Sequence, residues 1–168
     1  RKALVKLLKK HAPQMLDSMQ PEHEDHLRAG RLYAAAGKAR AATKSFARCE
    51  RLSPGHLAAA HTAVDAVPTK AHAERLLNAV DSAGEVILAN GRFQLEPMGS
   101  PPVSLDTVLA SLERAAASVP ALADRCRRER ERLDDQRAAI VAGEQAANAR
   151  LQSALDSLQP KHDYYQYG

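Results

Sequence analysis

The sequence predicts an all-α protein, and three observations support that fold class. Alanine has the highest helix propensity and makes up about a fifth of the 168 residues. Aromatic residues are 4% of the chain, and no segment alternates apolar and polar residues for long enough to predict a sheet. Proline and glycine divide the chain into segments of helical length. We expect one domain, or a small helical domain with an extension.

Breakers and capping residues place the helices of the N-terminal half. Pro21, Pro54 and Pro68 each begin a predicted helix, where the missing N–H is not needed. Gly37 ends the first of these three helices, because glycine accepts the left-handed conformation of a C-cap. The predicted helices cover residues 2–11, 13–19, 21–36, 39–52, 54–67 and 69–90, and we group residues 1–90 as one helical unit.

The C-terminal half contains a predicted loop and a long helix. Residues 91–103 hold two glycines and three prolines, which is typical of an extended loop. Ser104 is a candidate N-cap for a helix that ends near residue 119. A run of ~40 residues from Pro120 to Pro160 predicts a helix of roughly 60 Å. Residues 104–159 therefore form a second helical unit, followed by a polar, tyrosine-rich tail at 160–168.

Residues 23–56 carry the most informative pattern. Small residues on two successive predicted helices allow the backbones to approach, large residues are expected on the inward faces, and a proline ends the second helix. The residues of this pattern are Gly30, Tyr33, Ala42, Phe46, Cys49 and Pro54. The pattern resembles one tetratricopeptide repeat (TPR), a helix–turn–helix unit with a period of ~34 residues.

The resemblance implies a fold and a class of function. A TPR holds other proteins in a groove, so the chain is expected to be an array or bundle of helical hairpins that acts as a scaffold. Chaperone-binding TPRs use lysine and asparagine on the first helix, and here the corresponding face offers Leu27 and Arg31. The candidate partner-binding residues in a general groove are His26, Arg28 and Arg31.

Positive charge is concentrated at the N-terminus. The first ten residues carry five positive charges and no acid, whereas the whole chain has a net charge of +4. Their lysines Lys2, Lys6, Lys9 and Lys10 are candidates for docking on an anionic surface, either acidic protein, RNA or membrane. Two other interpretations remain open: a remnant of a targeting segment, or a helix packed on the hairpin with its lysines in water.

The long C-terminal helix has a heptad pattern that is only half apolar. Cys126, Leu133, Ile140, Ala147 and Ala154 recur every seven residues, but the complementary seam is mostly polar. Leu151, Leu155 and Leu158 widen the apolar face near the end. We therefore expect a coiled-coil-like helix that packs at both ends and exposes its middle. Its arginine-rich run at 125–132 is interpreted as a solvated face, with a nucleic-acid stripe or a partner-helix surface as alternatives.

The sequence contains no recognisable catalytic motif. Its two cysteines are far apart and form no CxxC pair, which favours a reducing compartment, the cytoplasm or the mitochondrial matrix. His23 and His26 are three residues apart, a spacing that can bind a metal, with His56, His61 or His72 as a possible third ligand. We interpret them as surface histidines and predict no metal, no cofactor and no transmembrane segment.

These observations predict a non-catalytic protein–protein interaction scaffold or adaptor, or a helical subunit of a multiprotein assembly. The alternative is an architectural subunit of an organellar or ribonucleoprotein complex, anchored on RNA or lipid by residues 1–10. Salt-sensitive binding that depends on Lys6, Lys9 and Lys10 would favour the alternative.

Overall fold

The computed structural model describes residues 22–97 and 101–158 of the chain. Helices dominate this part of the molecule, which confirms the all-α prediction and the long C-terminal helix. The helices are α1 (His23–Ala35), α2 (Ala39–Leu52), α3 (Leu57–Ala66), α4 (Lys70–Ala83), α5 (Leu105–Ser118) and α6 (Ala123–Leu158), with a 3-10 turn at Pro120–Leu122. The strands are β1 (Val86–Ala89), β2 (Arg92–Leu95) and β3 (Val103–Ser104). The predicted helices at 2–11 and 13–19 and the tail at 160–168 lie outside the described residues.

Helices α1 and α2 form the predicted αα-hairpin. Gly37 ends α1 with a φ of +69°, and the N–H of Lys38 donates to the carbonyl of Tyr33 at 2.8 Å. Hydrogen bonds of this kind satisfy carbonyls at the end of α1, where the helix itself supplies no donors. The two helices are therefore held antiparallel by a tight turn, as the sequence predicted.

The next two helices begin with side-chain caps. The N–H of Ala59 donates to Nδ1 of His56 at 3.2 Å at the start of α3, and the N–H of His72 donates to Oγ1 of Thr69 at 3.3 Å at the start of α4. Each bond satisfies one of the backbone donors left over at a helix N-terminus. Phe46 of α2 meets His72 edge-on, with ring centroids 6.4 Å apart, which connects the hairpin to α4.

A β-hairpin replaces the end of the helix predicted over 69–90. Helix α4 stops at Gly84, whose φ is +81°, and β1 then pairs antiparallel with β2. Asn90 and Gly91 form its two-residue turn with φ values of +52° and +71°, as a type I′ turn requires. Strand β3 also pairs with β2. The prediction of a loop over 91–103 was therefore wrong for residues 92–95 and for Val103, which lie in these two strands.

The main core lies between the sheet and helices α3 to α6. Fully buried leucines from five elements meet there: Leu57 of α3, Leu76 and Leu77 of α4, Leu95 of β2, Leu105 and Leu112 of α5, and Leu133 of α6. A smaller apolar cluster lies between α1, α2 and α3. The α1–α2 hairpin thus covers one side of a helical body instead of standing alone.

Polar contacts fix the first half of α6 on this body. Arg125 pairs with Asp81 at 3.1 Å, the side chain of Gln136 accepts a hydrogen bond from the N–H of Val86 at 3.0 Å, and Arg137 pairs with Asp106 of α5 at 3.2 Å. After Ile140, which is half-buried, every residue from 141 to 158 is exposed. The prediction that α6 packs at both ends and exposes its middle was therefore wrong, since the C-terminal end is exposed.

Candidate functional site

The hairpin contains most of the predicted packing residues. Ala42, Phe46 and Cys49 are buried on the face of α2 that meets α1. Gly30 is buried opposite, and a Cβ atom at this position would lie 2.5 Å from Cε1 of Phe46. The ring therefore fills the space that the missing side chain leaves, and the close approach predicted from the small residues is present.

Two residues of the predicted packing set do not pack. Tyr33 is 41% exposed, because it lies one residue before the half-buried Ala34, which contacts the cluster in its place. Successive residues on a helix are rotated by about 100°, so one position decides which side faces inward. Pro54 is also exposed, and its role is limited to the break after α2.

The predicted partner-binding residues lie on α1, and both arginines have partners in the chain. Arg28 lies 3.9 Å from Glu24 in an exposed i,i+4 ion pair. Arg31 reaches α3, where its guanidinium donates to Oγ1 of Thr62 at 3.4 Å. His26 is half-buried. Both arginines therefore make contacts within this chain, and partner binding by the three residues stays a prediction.

Histidines meet where α1 and α3 begin, in a combination different from the one the sequence favoured. His23 and Glu24 in the first turn of α1 lie beside His56, the N-cap of α3, and ligand atoms of the three side chains are within 4.8 Å of one another. The rings of His23 and His56 have centroids 5.1 Å apart and are tilted by 55°. The structure thus brings His23 together with His56, a residue 33 positions away in the sequence.

His56 is a buried imidazole with a defined proton position. Its Nδ1 accepts the N–H of Ala59, so the proton of the neutral ring is on Nε2, which is buried without a hydrogen-bond partner among the described residues. Burial lowers the pKa of His56, the nearby His23 lowers it further, and Glu24 acts in the opposite direction. The ring is therefore held in its neutral form, in which one nitrogen has a lone pair.

His61 and His72 are the other buried or largely buried histidines of the described residues. Burial lowers the pKa of His61 despite Asp65, whose carboxylate lies 3.7 Å from Nδ1. Nδ1–H of His72 donates to the carbonyl of Val67 at 2.7 Å, just before α4. His61 thus contacts a residue of its own helix, whereas His72 ties the segment before α4 to that helix, and neither was identified as structural from the sequence.

Both thiols are buried and weakly acidic. Burial raises the pKa of Cys49 to about 11, and the carboxylates of Glu50 and Glu24 contribute to the increase. Burial also raises the pKa of Cys126, against the opposing effect of Arg125. Because the thiolate is the reactive form, these environments favour a packing role over a redox or nucleophilic one.

The exposed half of α6 presents an apolar stripe to solvent. Leu151, Leu155 and Leu158 are 63%, 59% and 77% exposed. Leu151 follows Leu133 by 18 positions, or five turns of an α-helix, so both project from the same side of α6. The face that packs on the body in the first half of α6 therefore continues uncovered in the second half. We call residues 141–158 the projecting helix.

The lysines Lys2, Lys6, Lys9 and Lys10 lie outside the described residues, and anionic docking by them stays a prediction. Across residues 22–97 and 101–158, no helix combines the length and the apolar character needed to span a bilayer.

Comparison with known proteins gives no match to a family model, to a curated protein or to a solved structure. The resemblance of residues 23–56 to a TPR therefore stays a prediction that rests on the residues of that pattern.

Proposed function

We propose that this chain is a non-catalytic interaction subunit that offers the projecting helix as a ligand to another protein. The single observation that carries the proposal is the run of exposed leucines that extends beyond the folded body. In this proposal the helical body is the support, and the partner supplies an apolar groove or a pair of helices that covers Leu151, Leu155 and Leu158.

The spacing of the exposed apolar residues fits recognition of a helix in a groove. Leu151, Ala154, Leu155 and Leu158 stand at positions i, i+3, i+4 and i+7, the set of anchors with which an amphipathic helix enters an apolar groove. Residues 141–158 extend for about 27 Å at 1.5 Å per residue, which is long enough for such an interface. Burying a leucine side chain stabilises a complex by roughly 1.5–3 kcal/mol, so three of them supply a substantial part of the driving force.

The composition of the projecting helix supports a protein partner. Its charged residues are Glu144, Arg150 and Asp156, so it lacks the excess of positive charge that nucleic acid attracts. Several of the remaining residues are alanines, whose small side chains allow a second helix to approach closely. The helical body presents the helix already formed, which reduces the conformational entropy lost on binding.

The test compares two double variants of the full chain, each of which adds two positive charges to the projecting helix. Leu151→Lys with Leu155→Lys changes the apolar stripe, whereas Ala149→Lys with Ser153→Lys places the same charges on the opposite side of the helix. Circular dichroism first establishes that both variants keep the wild-type helix content. Each chain is then used for affinity purification from its native cells, and bound proteins are eluted with increasing salt and identified by mass spectrometry.

We expect the wild-type chain and the Ala149/Ser153 variant to retain the same proteins at high salt, and the Leu151/Leu155 variant to lose them. Retention by both variants would contradict the proposal, and so would loss from both, which would indicate that charge and not the leucine stripe decides binding.

A further inference from the structure

The convergence of His23, Glu24 and His56 is a feature that the proposed function does not use. Two imidazoles and one carboxylate come from the starts of two different helices, and they offer three ligand atoms within 4.8 Å of one another. This donor set is the kind that binds Zn²⁺ and neighbouring divalent transition metals. Imidazole nitrogens suit these ions, and a carboxylate offsets part of their positive charge.

The state of His56 is a second, independent indication of a ligand. The residue is 1% exposed, and its Nε2 has no hydrogen-bond partner among the described residues. Leaving a buried polar atom unpaired is unfavourable, and such an atom in a folded protein calls for an explanation, of which a bound ion is one. A metal ion at Nε2 would satisfy the atom that the cap formed by Nδ1 leaves unpaired.

We propose that His23, Glu24 and His56 form a binding site for a divalent transition metal, with Zn²⁺ as the reference ion. Ligand atoms around a tetrahedral zinc at ~2.0–2.1 Å are roughly 3.3 Å apart, so the three side chains must close slightly around the ion. His23 and Glu24 are half-buried at the surface, and rotation of their side chains achieves this closure while His56 stays in place.

The proposed site joins two helices that come from different parts of the fold. His23 and Glu24 belong to the first turn of α1, and His56 caps α3. A metal held by all three ties the outer helix of the hairpin to the body. The inference goes beyond the proposed function, since the projecting helix lies on a different part of the molecule.

Metal binding excludes the capping hydrogen bond of α3. His56 accepts the N–H of Ala59 through Nδ1, so the neutral ring carries its proton on Nε2. A metal at Nε2 moves this proton to Nδ1, which then no longer accepts, and a metal at Nδ1 displaces the N–H directly. The ring therefore acts either as a helix cap or as a metal ligand.

The experiment titrates Zn²⁺ into the tag-free full chain after removal of metals, by isothermal calorimetry, with thermal unfolding followed in parallel. The ligand variants are His23→Gln, Glu24→Gln and His56→Asn, and asparagine at residue 56 can still cap α3 because it is among the preferred N-cap residues. The matched control is His26→Gln, which removes the histidine that the sequence spacing favoured and the structure leaves out of the cluster.

We expect the wild-type chain and the His26 variant to bind one Zn²⁺ with the same affinity and to show a higher melting temperature with the metal. Each ligand variant is expected to weaken binding by about tenfold or more, and the His56 variant to stay folded without metal. The absence of zinc binding by the wild-type chain overturns the proposal. It is also overturned if the ligand variants bind as the wild type does, or if only the His26 variant loses the metal.

Discussion

The contact between Gly30 and Phe46 shows how closely the two helices of the hairpin approach. The aromatic ring lies where a Cβ atom at residue 30 would be, at 2.5 Å from Cε1 and 2.7 Å from Cδ1. Both residues are buried, so the ring has little space into which to move. Glycine at this helical position is therefore required by packing, although glycine lowers helix propensity.

We expect Gly30→Ala to destabilise the protein by up to about 2 kcal/mol. Overpacking in a core costs about 1–3 kcal/mol, and the higher helix propensity of alanine recovers about 1 kcal/mol of that. Denaturant unfolding followed by circular dichroism measures the change. The double variant with Phe46→Leu should lose less than the sum of the two single effects, because the smaller side chain removes the clash.

Gly143 provides the matched control, since it lies in the middle of α6 and a Cβ atom added there would have nothing within 4 Å. Gly143→Ala should stabilise α6 slightly through helix propensity alone. A loss of stability at Gly143 equal to that at Gly30 would show that packing against Phe46 is not the cause.

The same hairpin shows which packing residues can be identified from the sequence and which cannot. Ala42, Phe46 and Cys49 were predicted to pack and are buried, because they repeat at helical spacing on an amphipathic helix. Tyr33 was assigned to the inward face because it is large, yet the buried row of α1 runs through Leu27 and Gly30 to Ala34. On an alanine-rich helix the apolar face is weakly defined, and size alone selects the wrong residue.

At the scale of elements, the β-hairpin is the part of the fold that the sequence analysis missed. Asn90-Gly91 is a strong signal for a two-residue hairpin turn, and the apolar run Val86-Ile87-Leu88 precedes it. Strands of four residues are too short for an alternating pattern to be recognised, and Lys70–Ala83 directly before them is helical. The helix predicted over 69–90 ends at this dipeptide, because the residues around it do not distinguish the end of a helix from a hairpin turn.

The turn at Asn90-Gly91 can be tested by substitution of its second residue. Gly91 has a φ of +71° and space around it, so Gly91→Ala introduces backbone strain without a steric clash. We expect a loss of about 1–2 kcal/mol, measured by chemical denaturation, because L-residues are disfavoured in this region. Arg92→Ala, at the next position, is the control and should change stability by less than about 0.5 kcal/mol. Equal effects of the two substitutions would contradict the assigned turn.

The long helix illustrates a different limit of prediction. The heptad positions correctly marked Cys126 and Leu133 as packing residues. Which end of α6 stays uncovered depends on the helices beside it, and α5 has 14 residues against 36 in α6. At 1.5 Å per residue, α5 is about 21 Å long and α6 about 54 Å, so α5 covers less than half of its neighbour.

At the scale of the whole molecule, the histidine cluster depends on tertiary packing. His23 and His56 are separated by an entire hairpin in sequence, and they meet only because α3 packs beside α1. Sequence spacing reveals ligands that share one helix, such as His23 and His26, and hides those that packing brings together. The composition predicted the fold class, whereas the candidate sites required the arrangement of the helices.

The molecule as a whole divides at Ile140 into a packed body and a projecting helix. Substitutions before this residue should lower the free energy of unfolding far more than substitutions after it. Leu133→Ala removes a side chain that is 0% exposed and should cost about 2–5 kcal/mol. Leu151→Ala changes a side chain on the same face of α6 that is 63% exposed, and it should change stability by less than about 0.5 kcal/mol. Thermal and denaturant unfolding of the isolated chain measure both.

A chain from which residues 141–158 are deleted extends this prediction to the whole projecting helix. Its body should unfold at the temperature of the full chain, because every residue from 141 to 158 is exposed and the side chains of Gln152 and Ser157 form their hydrogen bonds within the segment. The same chain should lose the protein partners that the Leu151/Leu155 variant loses. A large drop in melting temperature would show that the segment supports the fold, in which case its leucines serve stability and not recognition.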